Sequence, residues 1–414
     1  MIVPSIDLMG GRTVQLVGGE KQAVDAGDPL PIAERFALAG EIAVIDLDAA
    51  MRRGSNAGLV ERLVARFDCR VGGGIRDLDT AVRWLDAGAS RIILGTMAVP
   101  ELLAKLPKER LIAAVDAKKG EVVVEGWRQG TGRRLLERVA ELRDHVSGFL
   151  VTFVEREGRM GGTDMALAKA VVEAAAPARV TIAGGVTTAE EIRELDAIGA
   201  DAQVGMALYT GRLDLGEAIA APLVTDRADG LFPTVVCDER GMALGLVWSS
   251  RESIRAAVAE RRGIYWSRSR GSLWRKGASS GAVQELLRID LDCDRDALRF
   301  TVRQHGSGFC HLGSRSCWGE EEGPGALARL LLARRHEAPE GSYTARLFAD
   351  PDLLAAKLRE ETEELIAAGS REEVIWEAAD LLYFTLVRLA REGIDLAEVE
   401  HHLARRRRKV TRRG

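Results

Sequence analysis

Short apolar runs alternate with amphipathic stretches along the first 222 residues of the chain. Runs of four to six residues have the length and composition of buried β-strands. They are Ile2–Ile6, Ile42–Leu47, Cys69–Gly72, Arg91–Leu94, Leu111–Val115, Gly148–Phe153, Arg179–Ala183 and Ala202–Gly205. The stretches between them have helical spacing, as in Leu59–Phe67, Leu78–Ala87, Arg133–Leu142 and Ala189–Ile198. Eight strand–helix units predict an α/β fold, the (β/α)8 TIM barrel. An open doubly wound sheet is the alternative, but the dinucleotide glycine fingerprint is missing.

The barrel region repeats itself at a spacing of about 110 residues, which indicates two related halves. The matched positions are Asp7 with Asp116, Gly73-Gly74 with Gly184-Gly185, and Gly95 with Gly205, at spacings of 109, 111 and 110 residues. Asp7 and Asp116 end strands 1 and 5 and therefore face each other across the barrel mouth. Two carboxylates in different environments can divide the acid and base roles of one reaction. The alternative is that each aspartate only caps a helix or supports its turn.

The repeated glycines predict two phosphate sites. Glycine after a strand lets backbone N–H groups approach a phosphate closely, and the following helix N-terminus adds a favourable dipole. The first cradle comprises Gly73, Gly74, Arg76, Gly95 and Thr96, and the second comprises Gly184, Gly185 and Gly205. Two related cradles suit a substrate with a phosphate at each end. Glycines that serve only tight βα turns are the alternative.

These residues carry a family resemblance. Val3-Pro-Ser-Ile-Asp-Leu-Met-Gly-Gly-Arg12 and Val71-Gly-Gly-Gly-Ile-Arg76 resemble the ribotide isomerase of histidine biosynthesis. The resemblance implies an Amadori rearrangement of an aminoaldose on a bisphosphorylated substrate. It implies that Asp7 is the general base, that Asp116 is the general acid, and that Thr152 assists beside the acid.

The chain departs from that family at two places. Glu157-Gly158-Arg159 stands where the family usually has Asp-Gly-Thr, and Gln15 stands where an arginine is expected. Gly158 is still assigned to substrate binding. The departures leave open whether the barrel is fully active.

Residues 223–322 change character and are predicted to form a small α+β zinc domain. Three cysteines spaced C-x16-C-x6-C (Cys293, Cys310 and Cys317) supply thiolate ligands for Zn²⁺ and leave a fourth position open. That position can hold a catalytic water, or His311 can complete a structural site. Asp292, Asp294 and Asp296 alternate along a segment predicted to be extended, so their carboxylates share one face, and carboxylate oxygens suit Mg²⁺.

This middle region resembles phosphoribosyl-AMP cyclohydrolase. The resemblance rests on Trp266-Ser-Arg-Ser-Arg270, Trp274-Arg-Lys-Gly277, Asp-Cys-Asp-Arg-Asp296, Cys310-His311 and Ser316-Cys317. It implies hydrolytic opening of an adenine ring, with catalytic zinc on the three cysteines and His311 as a proton shuttle. It further implies that Arg268, Arg270 and Lys276 hold phosphate and ribose, for which a solvated basic loop is the alternative.

Residues 325–414 are predicted to form an all-α domain, with long amphipathic segments at Leu353–Ala367 and Glu372–Glu392. Five acidic residues fall at helical spacing on the two segments: Glu360, Glu361, Glu364, Glu377 and Asp380. Two facing helices would gather these carboxylates around Mg²⁺, with Lys357 reaching a phosphate. A solvated acidic face is the alternative. The region resembles phosphoribosyl-ATP pyrophosphohydrolase through Lys357-x-x-Glu-Glu-x-x-Glu364 and Glu377-Ala-Ala-Asp-Leu-Leu-Tyr383.

The composition and charge of the chain limit the classes of function that it can have. The formal net charge of −4 does not indicate nucleic-acid binding, and the basic run Arg405–Arg413 is interpreted as a solvated helix end. Five cysteines, three of them clustered, favour a reduced compartment. With no membrane-spanning run or leader in the sequence, we expect a cytoplasmic protein without a membrane partner.

Taken together, the three resemblances predict a trifunctional enzyme of histidine biosynthesis that acts on phosphoribosyl-nucleotides. The cyclohydrolase and helical regions are expected to form a homodimer, as the resemblance implies. The alternative is a bifunctional cyclohydrolase and pyrophosphohydrolase with a catalytically silent barrel as scaffold.

Overall fold

The computed structural model describes residues 1–19, 21–124, 127, 129–319, 322–337, 339 and 341–411. The chain forms two compact units. The first comprises Met1–Phe309 and the tail from Arg408, and the second comprises Cys310–Arg407.

The first unit begins with a closed barrel. Its sheet contains β1 (Ile2–Met9), β2 (Arg12–Val17), β3 (Lys21–Gly27), β4 (Ile42–Asp46), β5 (Cys69–Gly72), β6 (Arg91–Leu94), β7 (Leu111–Lys118), β8 (Glu121–Val124), β9 (Gln129–Arg134), β10 (Gly148–Phe153), β11 (Arg179–Ala183) and β12 (Ala200–Val204). Eight of these strands pair in parallel around a ring in the order β1-β4-β5-β6-β7-β10-β11-β12. Because β12 pairs back to β1, the ring has no open edge. The predicted (β/α)8 barrel is confirmed, and the open sheet is excluded.

The other four strands form two hairpins that the sequence reading missed. β2 and β3 extend β1, and β8 and β9 extend β7, all in antiparallel pairing. β2 begins at Arg12 and β8 at Glu121, which are 109 positions apart, so the hairpins belong to the same internal repeat. Both hairpins follow the strands that carry Asp7 and Asp116.

Helices surround the barrel, and all of those described except the short helix Leu47–Ala50 bury apolar residues. They are α1 (Pro29–Phe36), α2 (Leu47–Ala50), α3 (Ala57–Arg66), α4 (Leu78–Ala87), α5 (Pro100–Leu103), α6 (Leu135–Leu142), α7 (Met165–Ala175), α8 (Ala189–Ala197), α9 (Met206–Tyr209) and α10 (Leu215–Ala220). In α4, Asp77 caps the first turn and Gly88 ends the helix in the left-handed conformation. Its inward residues Ala81, Trp84 and Leu85 are buried against the strands.

A second sheet completes the first unit. It contains β13 (Phe232–Cys237), β14 (Ala243–Ser249), β15 (Ile264–Ser267), β16 (Ser272–Arg275), β17 (Gln284–Leu291) and β18 (Leu298–Gln304), and α11 (Arg251–Glu260) packs against it. Apolar residues of this sheet and of the barrel share one core. Arg288 of β17 also forms an ion pair with Asp68, which precedes barrel strand β5.

The tail of the chain docks on the barrel. The Arg408 guanidinium lies 2.8 Å from Asp68, and the Val410 N–H donates to Asp86 at 2.7 Å. The Arg110 guanidinium donates to the carbonyl oxygen of Arg408. The interpretation of this run as a solvated helix end is therefore wrong for residues 408–411, because barrel carboxylates bind them. Arg412 and Arg413 lie outside the described residues.

The second unit contains five helices, which confirms the predicted helical region. They are α12 (Pro324–Glu337), α13 (Tyr343–Ala349), α14 (Pro351–Ala367), α15 (Arg371–Glu392) and α16 (Leu396–Arg407). Buried Leu331, Leu347, Leu354 and Val387 form their common core. Among the described residues, no helix combines the length and apolar character that crossing a bilayer requires.

Candidate functional site

The barrel mouth holds a cavity of about 1540 Å³ at the carboxyl ends of its strands. β1 and β7 are separated by three strands on either side of the eight-stranded ring, so they lie opposite each other. Asp7 and Asp116 both line this cavity. The structure therefore brings the two predicted acid–base residues to one enclosed space.

Asp7 is a half-buried carboxyl held by two side chains. Ser5 Oγ donates to its Oδ1 at 3.0 Å, and Gln15 Nε2 donates to its Oδ2 at 3.1 Å. Burial raises the pKa of Asp7 to about 6, against the lowering effect of these two hydrogen bonds. Gln15 thus orients the carboxylate, a role that the sequence reading did not assign to it.

Asp116 is also half-buried, and the same physical cause raises its pKa. The side chains of Thr152 and Trp127 donate hydrogen bonds to it, which opposes the effect of burial. Thr152 is itself buried and pairs with Asp116 in the parallel register of β7 and β10. The residue predicted to assist the acid is therefore in direct contact with it.

A third carboxyl lies beside this pair. Burial, together with the charges of Asp7 and Asp116, raises the pKa of Glu157 to about 7. A Cβ placed on Gly184 would lie 3.3 Å from Glu157 Oε2, so this carboxyl also borders the second glycine pair. Three enclosed carboxyls cannot all ionise cheaply, and Glu157 keeps its proton to a higher pH than Asp7 does. Sequence reading noted Glu157 only as a departure.

The predicted cradle residues line the same cavity. They are Gly73, Gly74, Arg76, Gly95, Thr96, Gly158, Gly184, Gly185 and Gly205. Gly73 and Gly184 have φ of 94° and 90°, and a Cβ there would lie 2.2 Å and 2.6 Å from the carbonyl oxygens of Asp46 and Phe153. Glycine is required at both positions because the backbone passes so close. Arg76 donates to the carbonyl oxygens of Ala49 and Ala50, which fixes its position at the rim.

The Asp292–Asp296 segment is a loop between β17 and β18, so the expectation of an extended strand is wrong. Asp292 Oδ1 accepts from the backbone N–H groups of Asp296 and Ala297 at 3.0 and 3.1 Å. This turn, rather than strand alternation, brings carboxylate oxygens of Asp292, Asp294 and Asp296 within 4.8 Å of one another. Three clustered hard oxygen donors fit Mg²⁺.

The cysteines predicted to bind zinc belong to different units. Cys293 lies in the loop of the first unit, while Cys310, Cys317 and His311 lie in the second. In the second unit, hydrogen bonds from the Leu312 N–H, the Ser314 hydroxyl and Cys317 hold the pKa of Cys310 below its usual value. An environment that favours thiolate suits a soft metal ligand.

Two of the three predicted phosphate-binding cations in the second sheet flank aromatic rings. Arg268 lies over the Trp248 ring at 4.7 Å, and both residues line a groove with Trp266 and Trp274. Lys276 is buried, 5.5 Å from the centre of the Phe309 ring. Arg270 is exposed and donates to Ser267 Oγ at 3.1 Å. An aromatic floor beside cations suits a nucleotide.

The helical unit gathers the five acidic residues predicted to bind Mg²⁺ into two groups that share Glu361. Ligand oxygens of Glu360, Glu361 and Glu364 lie within 4.8 Å of one another, as do those of Glu361, Glu377 and Asp380. Glu361 is buried, at 4% exposure. Burial and the neighbouring carboxylates raise the pKa of Glu377. Glu377 and Asp380 are half-buried, although the neighbouring Trp376 is 70% exposed.

Lys357 does not project freely toward a phosphate. Its Nζ lies 2.8 Å from Glu360 and 3.3 Å from Glu361 on the same helix. The lysine charge therefore offsets part of the negative charge of the acidic group.

The fold and the candidate sites are those of an enzyme. One candidate site lies at the barrel mouth, and the acidic groups lie in later parts of the chain. The family model for the histidine biosynthesis protein matches residues 1–214. Models for phosphoribosyl-AMP cyclohydrolase and phosphoribosyl-ATP pyrophosphohydrolase match residues 245–319 and 325–407. The chain belongs to the histidine biosynthesis protein family, fused to segments of these two enzyme families. Members of both families use metal ions.

Individual relatives agree with these matches. An imidazole-4-carboxamide isomerase from Gemmatimonas aurantiaca is 41% identical over 225 residues, which cover 51% of this chain and 94% of the relative. A histidine biosynthesis bifunctional protein from Schizosaccharomyces pombe is 54% identical over 49% of this chain and 48% of its own length. A histidine biosynthesis trifunctional protein from Komagataella pastoris is 38% identical over 81% of this chain and 37% of its own length. The chain thus spans less than half the length of both fungal relatives.

Proposed function

We propose that the chain catalyses three steps of histidine biosynthesis on phosphoribosyl-nucleotides. The regions are 1–222 for isomerisation, 223–322 for ring opening and 325–414 for pyrophosphate release. The observation that carries the proposal is the consecutive match to three families whose substrates and products connect. The reactions would run from the last region of the chain to the first. A cytoplasmic location is part of this proposal.

In the barrel, Asp116 would donate the proton that opens the ribose ring, with Thr152 and Trp127 orienting its carboxyl. Asp7, held by Ser5 and Gln15, would remove the proton next to the imine carbon. A carboxylate with a pKa near 6 is a stronger base than one with an ordinary pKa and is still ionised at neutral pH. The paired glycine cradles would hold the two phosphates, and the Glu157 carboxyl borders the second cradle.

In the middle region, Cys293, Cys310 and Cys317 are proposed to hold Zn²⁺. When bound there, the ion would supply the Lewis acidity that ionises a water molecule at neutral pH. His311 would carry protons to and from the ring nitrogen. Arg268 and Lys276 would bind the phosphate, and the indole ring of Trp248 would stack on a base.

In the helical region, the two acidic groups are proposed to hold Mg²⁺, which would offset the charge of the polyphosphate. Lys357 would exchange its carboxylate partners for a phosphate oxygen when the ions bind. Exposed apolar side chains in this unit favour the expected homodimer. They are Ile366, Val374, Ile375, Trp376 and Leu382.

The test is to supply phosphoribosyl-ATP to the whole chain with Mg²⁺ and Zn²⁺ and to identify the products by mass spectrometry. We expect pyrophosphate, the ring-opened aminoaldose and the aminoketose in succession. Removing zinc alone should stop the sequence at phosphoribosyl-AMP while the circular dichroism spectrum is retained. Global unfolding on zinc removal would favour a structural zinc module, and accumulation of aminoaldose would favour the silent-barrel alternative.

Glu157→Gln is expected to stabilise the protein increasingly as pH rises. The pKa of Glu157 is about 7 in the fold against an ordinary 4.5, so the folded state keeps a proton that the unfolded chain releases. The contribution of Glu157 to wild-type stability therefore falls as pH rises between these values, and the glutamine variant escapes this loss. The difference should reach about 3 kcal/mol above pH 7. Thermal unfolding from pH 4 to 8 measures it. Glu173→Gln, on the exposed side of α7, is the control, and parallel curves for all three proteins would contradict the assignment.

A further inference from the structure

The loop that carries Asp292, Asp294 and Asp296 is fastened to the barrel by its central residue. Arg295 Nε and Nη2 donate to Asp196 Oδ2 and Oδ1, both at 3.0 Å, and Asp196 lies in barrel helix α8. The pair is largely buried, with side-chain exposures of 21% and 13%. A bidentate contact of this kind fixes orientation as well as distance.

Arg295 has two further contacts that fix the loop. Its Nη1 donates to the carbonyl oxygen of Asp292 at 2.7 Å, which closes the turn on itself. Its own carbonyl oxygen accepts from the Val224 N–H at 2.9 Å, and Val224 lies in the segment that leaves the barrel. One residue thus joins the acidic loop, the interdomain segment and the barrel.

The backbone of Arg295 shows that the contact has a conformational cost. Its φ is 68°, in the left-handed region where glycine is the ordinary choice. A long cationic side chain at this position is unfavourable locally unless its partner offsets the strain. The partner that does so is in the barrel, outside the loop's own sheet.

We propose that Asp196 of the barrel is a positioning residue for the ring-opening site. Through Arg295 it holds the Asp292–Asp296 loop in the turn that gathers the three carboxylates. The barrel therefore takes part in the second reaction whether or not its own mouth is active. This inference rests on the proposed cyclohydrolase function, because it assumes that the loop binds Mg²⁺.

The test is hydrogen exchange of the whole 414-residue chain, read by mass spectrometry on a peptide spanning residues 292–297 at increasing Mg²⁺ concentration. Asp196→Asn should raise the Mg²⁺ concentration that half-protects this peptide by about tenfold, the size expected for a partner that orients metal ligands. Asp196→Glu, which keeps the charge, should restore part of the affinity. Arg295→Gly removes the guanidinium and relieves the backbone, yet should give the same shift as Asp196→Asn. The double variant should shift the Mg²⁺ midpoint no further than either single variant does.

Asp68→Asn is the matched control. Asp68 is also a barrel aspartate paired with an arginine of the second sheet, Arg288 of β17, and it pairs in addition with Arg408 of the tail. The ion pairs of Asp68 in the described residues do not include Arg295. Its Mg²⁺ midpoint should equal that of the wild type, and barrel-strand peptides should exchange equally in all variants. A wild-type loop that Mg²⁺ protects, with the same midpoint in Asp196→Asn, overturns the inference alone. A wild-type loop that Mg²⁺ does not protect overturns the proposed metal site and this inference with it.

Discussion

Asp116→Asn is expected to lower the rate of isomerisation by about 10³-fold, the middle of the range for loss of a general acid. Asparagine keeps the shape of the side chain and can still accept the hydrogen bond from Thr152. It has no acidic proton to transfer to the ribose oxygen. Hydrolytic opening of the adenine ring and release of pyrophosphate should be unaffected, because Asp116 lies inside the barrel cavity. The measurement is conversion of purified aminoaldose to aminoketose by the full chain, followed by chromatography.

Asp144→Asn provides the control for this prediction, since Asp144 is an exposed aspartate that does not line the cavity. A variant with normal turnover would remove Asp116 from the mechanism. A wild-type chain without turnover would instead support a barrel that serves only as scaffold. In that case the positioning role of Asp196 would be the barrel's remaining contribution to chemistry.

The barrel was predictable because its signal is periodic and repeated. The eight apolar strand runs and the 110-residue repeat can both be recognised in the sequence without knowledge of the fold. The observed strands overlap these runs. The β8–β9 hairpin was missed because Gln129–Arg134 is exposed along its whole length and lacks apolar alternation. Its pairing depends on β8, which in turn extends β7. Such strands exist only because a neighbouring strand supplies their hydrogen bonds.

The gathering of candidate residues was predictable to different degrees. Helical spacing alone places Glu360, Glu361 and Glu364 on one face, and the structure brings them together. The aspartate loop also forms a group, but for a reason that the pattern did not indicate, since a turn closed by Asp292 replaces the strand. Periodicity reports on element type, whereas turn geometry depends on specific side-chain to backbone hydrogen bonds.

Contacts between residues that lie far apart in the sequence could not be predicted from the sequence. Glu157 follows Asp116 by 41 positions, and its raised pKa arises only because folding encloses both with Asp7. Asp196 and Arg295 are 99 positions apart, the first in a barrel helix and the second in a loop of the other sheet. A sequence shows which residues can ionise, but the charges that face them are set by tertiary packing.

Glu361→Gln is expected to reduce pyrophosphate release by about 10²-fold or more, because a metal that has lost a ligand stabilises less transition-state charge. Glu361 is the residue shared by both acidic groups, so its loss affects two candidate ion sites at once. Pyrophosphate release from phosphoribosyl-ATP under saturating Mg²⁺ measures the effect. Glu363→Gln, two positions along the same helix and outside both groups, should retain activity.

The stability of this variant should change in opposite directions with and without metal. In chelator, replacing buried Glu361 relieves repulsion from Glu377 and Asp380, while Lys357 keeps its shorter contact to Glu360. The variant's Tm should therefore equal or exceed that of the wild type. With Mg²⁺, the wild type should gain stability by ligand binding and the variant should gain less. If instead the variant were less stable in chelator and Mg²⁺ left both proteins unchanged, the acidic groups would be a solvated helix face, since carboxylates gathered for an ion repel one another without it.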